Sequence, residues 1–135
     1  GTNGIKSLGS VDITGALSTT TNATIGGAAA GLLFLPSVES LTAASGTANH
    51  PSATVTTTLL TVTTGASSGA LPDGSAVGQI KIITCIVRSA GAYTCTPANM
   101  NGFASMAFDA AGDSVMLQWQ TAGWTVLSFG SAALA

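Results

Sequence analysis

The sequence predicts an all-β protein, an antiparallel β-sandwich or jelly-roll-like domain over residues 36–135, preceded by an extended N-terminal assembly arm over residues 1–35. Three observations predict it. β-Branched residues crowd into runs such as Thr-Val-Thr-Thr-Thr-Leu-Leu-Thr-Val-Thr-Thr at 54–64, where side chains stiff at χ1 favour the pleated backbone. Glycine-rich punctuation separates these runs, as at Pro72-Asp73-Gly74 and Ala90-Gly91. Five or more short strands at regular spacing then indicate two packed sheets rather than a βαβ alternation.

Residues 8–27 alternate small polar residues with Val11, Ile13, Leu17 and Ile25 and read as brief strands and turns. Each run offers one thin apolar row, too little for a core. The segment is therefore an assembly arm that packs on the main domain or intertwines with other subunits; the plainer reading is a partly ordered leader. Ala28–Leu35 is apolar without a clear period and reads as a short helix or a buried strand, ended by Pro36.

Ala53–Thr64 is a strand, and Gly65–Gly78 has the composition of a surface loop with a tight turn. Gln79–Val87 places Ile80, Ile82, Thr84 and Ile86 on one face and Lys81, Ile83, Cys85 and Val87 on the other. Both faces are mostly apolar, which marks a central strand. Arg88–Ala92 reads as a hairpin with Gly91 in the left-handed position, a register that sets Cys85 opposite Cys95. That pair either closes a cross-strand disulfide or stays as two small buried thiols.

After the turn-rich stretch Thr96–Gly102, Phe103–Phe108 is a strand and Asp109–Asp113 a turn. Ser114–Gln120 and Trp124–Phe129 form a final hairpin, with Leu117 opposite Leu127 and Trp119 opposite Thr125.

Composition bounds the function. The 135 residues suit one compact domain, which buries roughly two thirds of its surface on folding. Hydrophobic residues make up 46% and charged residues only 6%, against about 25% charge in ordinary soluble domains. The outer surface must then be built of Thr, Ser, Ala, Gly and Asn, which repel one another little, so association is expected. Five acids, three bases and a net charge of −2 give no footprint for phosphate backbones or anionic membranes, and direct nucleic-acid binding is not expected. The longest apolar run, Ala28–Leu35, is far short of a membrane span, and Gly1–Lys6 lacks the pattern of a secretory signal.

Chemistry-bearing residues are sparse. His50, the single histidine, sits in Ala48-Asn49-His50-Pro51-Ser52 without an adjacent acid or thiol, whereas a general base needs a nucleophile and an orienting partner in reach. Asp109 and Asp113 bracket a turn and read either as caps of that turn or as part of a hard-cation site. Gly26-Gly27 has no following lysine and the wrong spacing for a phosphate loop. Trp119, Trp124 and Tyr93 are either core and interface anchors or stacking platforms for a sugar. Cys85 and Cys95 lack the companions of a zinc site. No enzymatic activity, metal or cofactor is expected.

The C-terminal half resembles a recurrent β-domain of tailed-bacteriophage structural proteins, seen in fibres, head fibres and capsid decorations. The likeness is carried by Leu71-Pro72-Asp73-Gly74, Gly78-Gln79-Ile80-Lys81, Thr96-Pro97-Ala98-Asn99-Met100-Asn101-Gly102, Phe108–Val115, and Leu117-Gln118-Trp119 with Gly123-Trp124. The arm, with Val11–Leu17 and Asn22–Gly27, is similar to the Gly- and Thr-rich shaft pieces that precede such domains. The resemblance implies a homotrimer on the virion, at the outer surface of the capsid or in a fibre. The expected function is that of a capsid decoration or cement protein bound to the major capsid protein or other virion proteins. The alternative is a tail or head fibre domain that adsorbs to host glycans.

Overall fold

The computed structural model describes residues 37–135, and among these there is no helix. Nine strands are present: β1 (Val38–Ala44), β2 (Thr57–Thr64), β3 (Ser67–Leu71), β4 (Ile80–Arg88), β5 (Tyr93–Pro97), β6 (Met106–Phe108), β7 (Ser114–Trp119), β8 (Trp124–Gly130) and β9 (Ala133–Leu134). They form a five-stranded sheet A in the order β1-β2-β4-β7-β8 and a four-stranded sheet B in the order β3-β5-β6-β9.

Both sheets are mixed, and this corrects the antiparallel, jelly-roll-like pairing that the sequence predicted. β1–β2, β2–β4 and β3–β5 are parallel, while β4–β7, β7–β8, β5–β6 and β6–β9 are antiparallel. The cause lies in the turns. After β2 the chain does not fold back beside itself but rounds a corner into the other sheet as β3. It then returns to sheet A as β4, running the same way as β2, and rounds the next corner into β5.

Each corner makes an arch, two strands in different sheets whose inner side chains face one another. β1 and Ala48 form the first, with Ala48 bridged in parallel to Ser68. β2–β3 and β4–β5 stack on it, β6–β7 adds a reversed arch, and β8–β9 closes the series.

A residue with positive φ sits at every corner: Gly46, Gly65, Gly91, Gly112 and Ser131. Gly91 is the most constrained of them. Its φ is +73°, and a Cβ there would lie 1.8 Å from the carbonyl oxygen of Gly65 in the corner beneath, so only glycine satisfies both the left-handed backbone and the close stacking. Arg88 Nε donates to the Gly91 carbonyl at 2.7 Å and fixes the same corner.

The segment read as a hairpin at Arg88–Ala92 is thus a corner between sheets. Cys85 lies in β4 of sheet A and Cys95 in β5 of sheet B, and both are free thiols. The segment 65–78, read as loop, contains β3, whose Ser-Ser-Gly-Ala-Leu would suit a turn. It becomes a strand because β5 offers it a parallel partner from Ser67↔Tyr93 to Leu71↔Pro97. Gly69 has a steric role there, since a Cβ would meet the Asn49 carbonyl oxygen and the Tyr93 hydroxyl.

The β7–β8 hairpin is present. Its outer part, Val115↔Phe129 and Met116↔Ser128, keeps the predicted register, but a bulge at Leu127 shifts the rest to Leu117↔Val126 and Trp119↔Trp124. The strand expected over Phe103–Phe108 is confined to Met106–Phe108, and the one expected from Ala53 begins at Thr57.

The two sheets share one core. Leu60, Val62, Ile83, Cys85, Val115 and Leu117 of sheet A meet Leu71, Tyr93, Cys95, Met106 and Phe108 of sheet B, all buried. At the end away from the corners, Trp119 and Trp124 pack edge to face with centroids 5.4 Å apart. The Trp124 indole donates to the Pro72 carbonyl at 2.9 Å. Backbone bonds from Trp124 to Asn99 and from Asn101 to Trp124 bind the 99–101 loop along the start of β8, and the Asn99 amide donates to the Asp73 carboxylate. The loops at 71–74 and 96–102 therefore close this end of the core.

Candidate functional site

The residues singled out from the sequence are not brought together. The arm residues Val11, Ile13, Leu17 and Ile25 lie outside the described residues. Tyr93 and Trp124 are wholly buried and Trp119 nearly so, which corrects the reading of these rings as sugar-stacking platforms: they have no open face in this chain. Tyr93 instead donates its hydroxyl to the Asn49 carbonyl at 2.6 Å, tying the third arch to the chain that leaves the first.

His50 has a structural partner as well, its Nδ1 accepting the Ala70 N–H at 2.9 Å. Asp113 turns inward, and its Oδ2 accepts the backbone N–H groups of Asp109 and Ala110, each at 2.8 Å. That contact organises the β6–β7 corner. Among the described residues no group of three or more His, Cys, Asp or Glu side chains is clustered as a metal site would require.

Burial pushes the Cys95 thiol up to about 12. The Cys85 thiol is also raised, first by burial and then by the nearby Asp113 carboxylate. Nucleophilic chemistry needs the thiolate, the form that burial disfavours at both side chains.

One buried polar cluster escaped the sequence reading. Lys81 is fully buried on the inner face of β4, with Nζ 3.1 Å from Glu39 Oε1 and 2.8 Å from the carbonyl oxygens of both Ser52 and Val55. Glu39 Oε1 also accepts the Thr58 hydroxyl at 2.5 Å and the Ser52 N–H at 2.9 Å. Burial alone would raise the Glu39 pKa, but the Thr58, Lys81 and Ser52 hydrogen bonds outweigh it and hold the carboxyl below its ordinary value. Burial likewise lowers Lys81, with Glu39 opposing. The cluster ties β1, β2, β4 and the 52–55 loop together. The signal in the sequence was a lysine in phase with Ile83 and Cys85 on a central strand; its partner, 42 residues away, carried none.

The surface holds the feature that composition foreshadowed. Along sheet A, Val38, Thr57, Ile82, Met116 and Ser128 form one row of register partners, flanked by Ser40, Leu59, Thr84 and Ser114 on one side. Alternation with the buried positions places both rows on the outer face. No charged side chain lies there: Glu39 and Lys81 point inward, and Arg88 is bonded to Gly91 at the corner.

Bulges add to the exposure. Between the pairs Leu60↔Cys85 and Thr61↔Val87, the extra residue Ile86 leaves both Ile86 and Val87 exposed, and the β8 bulge does the same for Leu127. Among the described residues seven large hydrophobic side chains are exposed; six (Val38, Ile86, Val87, Met116, Leu127 and Phe129) belong to sheet A, and none belongs to sheet B. The outer row of sheet B runs Ala48, Ser68, Thr94, Ala107, Ala133. This asymmetry makes the outer face of sheet A the candidate site.

No protein-family model matches the chain, and no curated protein matches it.

Proposed function

We propose that this chain is a structural component of a bacteriophage virion, a capsid decoration or cement protein that stabilises the shell by non-covalent assembly as a homo-oligomer. We read its two sheets as the layers of a sandwich that serves as a rigid block. The observation that carries the proposal is the uncharged, apolar outer face of sheet A on a chain with 6% charged residues. Apolar area removed from water between subunits stabilises by about 25 cal/mol per Å² before association costs. The resemblance of residues 71–129 to phage β-domains supports the virion setting.

The fibre alternative relied on Tyr93, Trp119 and Trp124 as glycan contacts, and their burial removes that support. Light scattering on the native chain, with and without empty shells of the same particle, tests the proposal. An oligomer that sediments with shells and raises their heat resistance is the expected result; an oligomer indifferent to shells rejects decoration.

A further inference from the structure

Resting on that reading, we infer that the outer face of sheet A is the surface through which one copy of this chain binds another. The occupant follows from charge, size and asymmetry. A partner for this face must itself be uncharged, because a Lys or Asp brought against Ile82, Ile86 and Met116 would lose its hydration without gaining an opposite charge. A second copy meets that requirement, since its sheet A presents the same Thr, Ile, Val, Met and Ser rows.

Size agrees. Five strands spaced ~4.8 Å apart, each contributing ~7 residues at ~3.3 Å, give a flat footprint of roughly 550 Å². A side-chain-covered face has more accessible surface than its footprint, which brings it to the scale of the ~800 Å² per partner in stable protein interfaces.

The two sheets also differ in a way that singles out one of them. Sheet B, with Ala48, Ser68, Thr94, Ala107 and Ala133 outward, leaves no large apolar side chain in water. Sheet A leaves six there, two of them at the β4 bulge and one at the β8 bulge; of the six, Phe129 is the register partner of buried Val115 and lies toward the inner side. Leu127 on β8, the last strand of sheet A, extends the apolar face to the sheet's open edge.

The test uses the full chain and three single variants: Ile82→Lys and Ile82→Glu on the outer face of sheet A, and Thr96→Lys on the outer face of sheet B. Circular dichroism and the protection of Cys85 and Cys95 from a thiol reagent report that each variant is folded. Light scattering reports mass. The expected result is an oligomeric wild type and Thr96→Lys, with Ile82→Lys and Ile82→Glu at the 13.1 kDa monomer or with at least ~100-fold weaker association. Mixing the two Ile82 variants should restore part of the association, because the opposite charges then meet across the same face.

If both folded Ile82 variants keep the wild-type mass, this face is not the interface, although the assembly reading stands. If the wild type itself is a monomer, the assembly reading and this inference both fall. Should an Ile82 variant be unfolded, Met116→Lys, on the neighbouring strand of the same row, takes its place with the same two outcomes.

Discussion

Sheets A and B are built on the same inner plan and finished differently outside. Inward, each contributes alternate apolar residues to one core: Ile83, Val115 and Leu117 from sheet A, Tyr93, Met106 and Phe108 from sheet B. Outward, sheet B shows small residues, whereas sheet A shows the half-buried Ile82 and the exposed Ile86, Val87, Met116 and Leu127. The strands are set by period and β-propensity, which act equally on both sheets. The outer residues of sheet A contribute nothing to that core, so the difference between the sheets is not set by the packing of the interior.

The largest effects should fall on the inner faces and be alike in both sheets. Trp124→Ala in sheet A and Phe108→Ala in sheet B should each destabilise by about 3–5 kcal/mol in denaturant melts. A cost below about 1 kcal/mol for Phe108→Ala would mean that the two sheets do not share a core.

Next comes the buried ion pair, which belongs to sheet A alone. Glu39→Ala should cost about 2–4 kcal/mol, somewhat less than a fully buried pair because Glu39 is partly open to water. Replacing both partners, Glu39→Leu with Lys81→Met, should recover most of it.

Glu39 is held below its ordinary 4.5 in the folded protein, so the unfolded chain binds more protons in the window between the two values. Stability from this carboxylate is present above about 4.5, is lost as pH falls through the lower folded value, and should be missing from the acid limb of the Glu39→Gln profile. A thermal-melt series against pH measures it; identical acid limbs would remove the cluster from the account.

A smaller cost, about 1–3 kcal/mol, is expected for Gly91→Ala, where left-handed backbone strain adds to the contact with Gly65. The same substitution at Gly102, with positive φ but nothing near its Cβ, should cost less, and equal losses would show that corner stacking adds nothing. The smallest effect is expected at Thr96→Lys on the outside of sheet B, within about 0.5 kcal/mol.

Much of the fold was legible in the sequence, and the gaps have one physical origin. Thr57–Thr64, Ile80–Arg88 and the β7–β8 hairpin were visible because each strand signals itself, by β-branched density, alternation or a short turn. A hairpin and a corner between sheets, however, use the same glycine in the same left-handed conformation. Gly91 could serve either, and what decides is that β4 finds β2 and β7 while β5 finds β3 and β6, pairings between distant segments that no local pattern encodes.

β3 was hidden for the same reason, as a turn-like composition recruited by a partner. For the candidate face, the low charge was legible from composition, but which sheet would carry the exposed apolar residues depended on bulges at Ile86 and Leu127 that shift register by one residue.

The claim that sheet A is covered in the assembled protein and sheet B is not can be read from the three methionines, by mass spectrometry after brief exposure to peroxide. Met116 is 37% exposed on the outer face of sheet A, Met106 is fully buried in the core, and Met100 lies half-buried in the loop beside Trp124. At concentrations where the chain associates, Met116 should resist oxidation nearly as well as Met106. On dilution, or in Ile82→Lys, it should oxidise at least as fast as Met100. Rapid oxidation of Met116 at every concentration, with Met106 still protected, would show that the face stays in water and would contradict the account.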